Sequence, residues 1–248
     1  MDVDKKIIVS ITSWPKRIGN VKTVFDSLLN QTVKPDLIEL NLSTQEFPNK
    51  EDDLPEDLLE QMKNNECIEI NWVEENTGVF KKLIPTIKKF LEEDEYYLLS
   101  VDDDYIYRSD YIEMMINYLQ INKSDAFCLS KAKVIGNRMI YLSSCFNADF
   151  YDKLTQEIID NRISDYYIQC FIERYRKKRI SKYDHKDAKQ ILKLYNPVSP
   201  NSGNKTEPGK DSRYSPQQVK RAKDAIDRLF RKLTSRTPNK LKYPLSAW

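Results

Sequence analysis

The run Tyr96-Tyr97-Leu98-Leu99-Ser100-Val101 passes without a break into Asp102-Asp103-Asp104. Its apolar stretch has the length of a buried strand and is too short for a helix. The three carboxylates that end it must therefore stand at the rim of a sheet. Two charges about 5 Å apart repel by roughly 3 kcal/mol at an effective dielectric of about 20, but by under about 1 kcal/mol in bulk water. A cluster fixed at the mouth of a buried strand thus calls for a cation. In an extended chain Asp102 and Asp104 would share one face and Asp103 would take the other. Such a pair of hard oxygen donors suits Mg²⁺ or Mn²⁺ that also holds a phosphate. Taken alone, the triplet also reads as a solvated acidic turn that starts a helix.

What lies upstream selects between these readings. Residues 7–12 form a β-branched run, followed by the loop Ser13-Trp14-Pro15-Lys16-Arg17, where Pro15 blocks continuation of the strand. Over residues 20–31, Val21, Val24, Phe25, Leu28 and Leu29 recur at helical spacing. Strands are expected at 37–42 and 68–73, a loop at 45–55, and helices at 58–63 and 81–91, with Pro85 in the first turn of the latter. Strand and helix alternate four times, which predicts an α/β fold whose mostly parallel central sheet is covered on both faces. Ligands of such sheets sit at the carboxyl ends of strands, where Asp102, Asp104 and the 12–17 loop would all lie.

The second half is less regular. Helices are expected at 111–120, 150–159 and 164–174, with Ser164 as N-cap, and strands at 126–129 and 140–146. A Pro/Ser/Asn/Gly-rich stretch, 196–215, reads as a linker. Beyond it Val219, Ala222, Ile226, Leu229, Phe230 and Leu233 form an apolar stripe on a basic helix opened by Ser215-Pro216. The expected organisation is one domain over 1–195, a linker over 196–215, and a C-terminal basic amphipathic helix and tail over 216–248.

Charge adds little at the level of the whole chain: 40 Lys+Arg against 38 Asp+Glu leave +2, and no nucleic-acid partner is expected. Cys67, Cys128, Cys145 and Cys170 are too widely spaced for a zinc site and read as reduced, packed thiols, pointing to a cytoplasmic protein. The acidic start MDVDKK is unlike a signal peptide, and no apolar run approaches the roughly 20 residues needed to span a bilayer, so any membrane contact is expected to be peripheral.

Four patterns occur in order: Ile8-Val9-Ser10-Ile11-Thr12-Ser13-Trp14-Pro15-Lys16-Arg17-Ile18, Gln31 with Lys34-Pro35-Asp36, Lys81-Lys82-Leu83-Ile84-Pro85-Thr86, and Asp102-Asp103-Asp104 with Tyr105-Ile106-Tyr107. Together they resemble the small bacterial and viral nucleotide-sugar glycosyltransferases of the GT-A fold, over roughly residues 7–180. The resemblance implies a nucleotide-diphosphate sugar donor (a UDP-sugar), Mn²⁺ or Mg²⁺, and transfer to a hydroxyl of a glycan or lipid-linked acceptor in glycan or polysaccharide biosynthesis. It implies direct metal contact by Asp104, and contact of Asp102 with the ribose, the metal or its water. Asp103 would do either, or cap the next segment. Lys82 would pair with the diphosphate, while Arg17 and Lys16 would meet the base or phosphates, with a hydroxyl from Thr12 or Ser13. Trp14 reads as a packing or base-stacking residue, and Asn76 and Gly78 as a turn near the nucleotide.

An inverting transferase needs a general base opposite the leaving group. The resemblance points to Asp165, with Asp149 and Glu173 in reserve. Two departures from the family pattern stand out: Tyr166 replaces a second acid, and Leu142-Ser143-Ser144-Cys145-Phe146-Asn147 replaces a glycine-rich acceptor segment. His185, the only histidine, reads as a metal ligand or as a solvated loop residue. The basic helix would dock its stripe on the domain or lie on an anionic membrane; Asp224 and Asp227 favour docking or an oligomer contact. Alternative functions are a sugar-1-phosphate nucleotidyltransferase and a non-catalytic nucleotide-sugar or glycan-binding module. The first normally carries a Gly-rich loop after the first strand, and here no glycine occurs before Gly19.

Overall fold

The computed structural model describes residues 5–129, 138–160, 164–182, 195–197 and 216–234. Strands and helices alternate through the first half: β1 (Lys6–Thr12), α1 (Val21–Leu29), β2 (Leu37–Ser43), α2 (Glu56–Lys63), β3 (Ile68–Val73), α3 (Ile84–Lys89) and β4 (Tyr96–Ser100). After these come β5 (Tyr105–Tyr107), α4 (Tyr111–Ile121), β6 (Ala126–Cys128), β7 (Met139–Leu142), α5 (Asp149–Asp152), α6 (Gln156–Asp160) and α7 (Ser164–Gln169). A π-helical turn (Cys170–Tyr175), β8 (Ile180–Lys182), β9 (Tyr195–Pro197) and α8 (Pro216–Thr234) complete the described chain.

Seven strands form one sheet in the order β3-β2-β1-β4-β7-β6-β8. β3, β2, β1 and β4 are mutually parallel, β7 runs against β4 and β6, and β6 is parallel to β8. This is the expected α/β fold, with β7 as the single reversed strand. Side chains alternate between the faces as the pleat requires. Ile7, Val9, Ile11, Tyr97 and Leu99 pack with α1, α2 and α4, whereas Ile8, Tyr96 and Leu98 pack with α3, α7 and α8. No described helix is long and apolar enough to cross a membrane. Cys128, Cys145 and Cys170 are buried in the core and Cys67 is half-buried; burial pushes the Cys145 and Cys170 thiols up to about 12, which makes them packing groups.

The second half departs from the expected boundaries for tertiary reasons. The expected strand over 140–146 ends at Leu142 and turns through Ser143–Cys145, where the Ser143 hydroxyl accepts the Tyr96 amide at 3.3 Å. The expected helix over 150–159 divides into α5 and α6, the second starting where the Ile158 and Ile159 amides meet the Thr155 carbonyl. The expected helix over 164–174 changes from α to π at Cys170. The wider turn lets neighbouring side chains diverge: Arg174 reaches Asp227 on α8 at 2.5 Å, while the Tyr175 hydroxyl reaches Asp149 at 2.6 Å. Within the expected linker, Asn196 and Pro197 pair with Ile106 and Tyr105; residues 198–215 lie outside the described residues, as does His185.

α8 docks on the domain. Ala222, Ile226 and Phe230 are buried, and the Phe230 ring meets Tyr167, Phe171 and Tyr175 at 5.6–6.4 Å between centroids. Asp227 faces inward as well, accepting bonds from Tyr166 and Arg174. Truncating a buried phenylalanine costs about 3 kcal/mol or more. We therefore expect Phe230→Ala to lower the free energy of urea unfolding by about that amount and to open α8 to limited proteolysis; an unchanged midpoint would mean the helix contributes little to the core.

Candidate active site at the carboxyl rim of the sheet

β1 and β4 are parallel neighbours and end at the same rim. Val101 is the last residue held in register, its amide donating to the Ser10 carbonyl at 3.1 Å. The chain then leaves the strand at Asp102 and turns at Asp103 and Asp104. The turn lets one cation, Arg17, bridge Asp103 and Asp104, while Asp102 takes a different cation and still acts on the Asp104 carboxyl. Arg17 reaches Asp103 Oδ1 at 2.8 Å and Asp104 Oδ2 at 2.9 Å, and the Ser13 hydroxyl donates to Asp103 Oδ2 at 2.6 Å. Asp102 Oδ1 accepts from Lys82 Nζ at 2.9 Å, with Arg138 at 3.8 Å from Oδ2.

Each cation arrives for a local reason. The Trp14 carbonyl accepts the Arg17 and Ile18 amides at 2.9 and 3.0 Å, folding the Pro15-containing loop back so that Arg17 lies over the acids. Lys82 ends the 3-10 turn Gly78–Lys82, which starts with Gly78 in the left-handed region (φ 58°), the Gly78 amide donating to Asn76 Oδ1 at 3.0 Å. Beneath Lys82 lies a buried polar network. Ser10 Oγ donates to the Lys82 carbonyl, Asn41 Nδ2 donates to both Ser10 Oγ and Thr86 Oγ1 at 3.0 Å, and Thr86 donates to the buried Glu39. Lys89 closes the network on Glu39 at 3.0 Å. A hydrogen-bonded network of this kind rigidifies what it touches, and here it fixes the segment that carries Lys82.

Arg138 is the site residue that sequence reasoning missed. It precedes β7, whose register sets Met139 opposite Ser100, so the antiparallel pairing delivers Arg138 to the rim beside Asp102. Recognising the 140–142 segment as a strand reversed against β4 is the signal that would have found it. The Arg138 guanidinium lies 4.9 Å from the centre of the Tyr105 ring. Tyr107 fixes Asp102 from below, its hydroxyl accepting the Asp102 amide at 2.8 Å.

Asp165, in the first turn of α7, joins this cluster electrostatically. Burial pushes its carboxyl up to about 6, opposed by Lys82 and Arg138 and reinforced by Asp102. Burial likewise pushes Asp103 up to about 6 against Arg17 and Ser13, and it raises Asp104 with help from Asp102. For Asp102, burial is outweighed by Lys82, Arg138 and Arg17, which hold its carboxyl below the usual range. Three carboxylates and Asp165 thus face three cations, and the positive side does not fully compensate.

Other expected site residues turn elsewhere. The Thr12 hydroxyl donates to the Asn41 carbonyl at 2.7 Å, tying β1 to β2. Lys16 lies over the Trp14 ring at 5.4 Å, and Lys81 pairs with Glu46 and Asn76. Residues 142–147 follow the end of β7 remote from Asp102, because Leu142 pairs with Tyr97 near the start of β4. The segment expected to stand for the acceptor loop is therefore at the opposite end of the sheet. Asp149 shares that end, bonded to Tyr175 and Asn147, and Glu173 accepts from Gln169 at 2.9 Å.

The donor set fits a hard dication of the kind the resemblance implies. Among the described residues no three Asp, Glu, His or Cys side chains converge as an all-protein cage. Mg²⁺ commonly takes one or two carboxylates and completes its shell with water and substrate phosphates. Asp104 and Asp102 offer hard oxygens for that mode, which Arg17 and Lys82 occupy here.

A carboxyl raised to about 6 stabilises the fold below its ordinary pKa of about 3.9, and that contribution is lost as pH rises through about 6. Asp165→Asn removes this penalty. We expect the variant to exceed the parent in unfolding free energy near pH 7.5, by on the order of 2 kcal/mol, and to converge with it near pH 4. Parallel pH–stability curves from denaturant titrations would place Asp165 outside the cluster.

No family model matches the sequence, and no curated protein matches it. Solved structures of similar shape exist at low identity. S. aureus TarS 1-349 aligns with a TM-score of 0.49 and 13% identity over 97% of this chain and 76% of that one. The same fragment in complex with UDP-GlcNAc aligns with a TM-score of 0.47 and 12% identity over 73% of this chain, which spans 56% of that one. The glycosyltransferase GlyE of Streptococcus pneumoniae aligns with a TM-score of 0.42 and 12% identity, over 96% of this chain and 66% of that one.

Proposed function

We propose that this chain is a metal-assisted glycosyltransferase that moves a sugar from a nucleotide-diphosphate donor, a UDP-sugar, to an acceptor hydroxyl with inversion. The observation that carries the reading is the meeting of Arg17, Lys82 and Arg138 with Asp102, Asp103, Asp104 and Asp165 at the carboxyl rim of a parallel sheet. Cations at such a rim suit a diphosphate, and carboxylates beside them suit a dication and a base.

In this reading Asp104 and Asp102 would hold the ion, which when bound supplies positive charge to the departing diphosphate. Lys82, fixed through its carbonyl by Ser10, pairs with a phosphate as a point charge, and Arg17 exchanges its carboxylates for phosphate oxygens. Asp165 accepts the proton of the acceptor hydroxyl as the acceptor oxygen bonds to the anomeric carbon and the bond from that carbon to the diphosphate breaks. Its raised carboxyl sets the lower limb of activity: the group is protonated and inactive below about pH 6 and works above it. The nucleotidyltransferase reading is less supported, because the loop after β1 carries no glycine before Gly19.

Transfer or hydrolysis of UDP-sugars with added Mn²⁺ tests the proposal. Asp104→Ala is expected to lower turnover by at least about a hundredfold, and full activity in that variant would end the metal assignment. Arg17 gives an independent test with opposite signs. An arginine that shares Asp104 with the ion competes with it, so by calorimetry Arg17→Ala should bind Mn²⁺ more tightly than the parent and UDP more weakly. Weaker binding of both would remove Arg17 from that competition.

A further inference from the structure

We infer that the outer face of α8 is an electrostatic docking surface for an anionic membrane. The helix is about 28 Å long. Its apolar stripe is already used, with Ala222, Ala225, Ile226 and Phe230 buried against the domain. What it presents outward is Lys220, Arg221, Asp224, Arg228, Arg231 and Lys232, all exposed. At 3.6 residues per turn these lie within an arc of about 120°. Five cations and one acid on one face contrast with a net charge of only +2 on the whole chain.

The sequence alone raised two acids against this reading, and the structure withdraws one of them. Asp227 faces inward, bonded to Tyr166 at 2.8 Å and Arg174 at 2.5 Å, and does not share the outer face. Asp224 remains, and Glu157 approaches Arg228 only at 3.8 Å with both side chains more than half exposed, a pair that solvent screens. The patch extends beyond the helix: exposed Lys177 lines a cavity of about 360 Å³ together with Leu233 and Thr234 of the last turn.

The geometry favours a membrane over a nucleic acid. A straight helix lying on a domain offers a convex, even row of ammonium and guanidinium groups. Such a row matches a plane of lipid phosphates, whereas a nucleic acid is gripped by a groove or by elements that enter one, with aromatic rings for bases. The outer arc carries no aromatic side chain. Because the apolar stripe is docked, attachment is by charge without insertion of the helix, so it weakens steeply with salt. The inference does not depend on the transfer reaction.

Co-sedimentation of the full chain with vesicles tests it directly. Binding is expected to phosphatidylcholine vesicles containing about a quarter phosphatidylglycerol, not to pure phosphatidylcholine, and to disappear near 0.5 M salt, where the Debye length falls to about 4 Å. The triple variant Lys220→Glu, Arg221→Glu, Arg231→Glu should bind at least about tenfold more weakly with an unchanged melting temperature. Asp224→Lys should bind more tightly than the parent, which keeps the test decisive if the triple variant fails to fold. Equal binding to neutral and anionic vesicles, indifference to both sets of substitutions, or a preference for duplex DNA over anionic vesicles would overturn the inference.

Discussion

The arrangement turns on charge compensation at the end of one buried strand. Beyond β4 the fully buried Val101 is followed at once by three carboxylates in three residues. Water cannot solvate all of them: Asp103 is only 1% exposed. Buried charges persist only when paired, so the surrounding elements are committed to bringing cations there. The loop after β1 supplies Arg17, the turn before α3 supplies Lys82, and the approach to β7 supplies Arg138. Three segments far apart in the chain are held together by one electrostatic requirement.

That requirement reaches into the sheet. A parallel sheet covered on both faces is ordinarily apolar throughout, yet Ser10, Glu39, Asn41 and Ser100 are buried polar residues on its strands. Three of them, Ser10, Glu39 and Asn41, join Thr86 in a network that ends at the Lys82 carbonyl. The polar interior is held by these hydrogen bonds and by the ion pair of Glu39 with Lys89, and its outcome is a lysine held in place at the rim. On the same face of the sheet, the π turn after α7 and the docked α8 keep Asp165 and its helix in position through Arg174, Tyr166 and Asp227. The rim and the C-terminal helix are thus coupled through α7, although α8 contributes no side chain to the cluster among the contacts described.

Most elements of the first half were legible because their signals are local. β-branched runs separated by segments of 3.6-residue periodicity leave few alternatives to parallel strands with crossover helices, and Ile7, Val9 and Ile11 against Ile8 already sort the two faces. The acidic triplet and Lys82 were legible for the same reason, as charges placed just beyond apolar runs. Arg138 was not, because its place depends on the direction of β7, which no local pattern encodes. Nor was the position of 142–147, which followed from that same reversal, nor the π turn, whose extra residue is set by partners on α5 and α8.

By itself the sequence determined the alternating α/β architecture, the rim at which its charges collect, and the amphipathic character of the C-terminal helix, since each follows from spacing along the chain. Tertiary structure alone decided which cation meets which carboxylate, that Arg17 bridges Asp103 and Asp104 while Lys82 takes Asp102, and that Asp227 faces the core while Asp224 faces out. Those outcomes depend on strand direction and on where the backbone turns, and they are fixed by long-range pairing energies that no window of sequence contains.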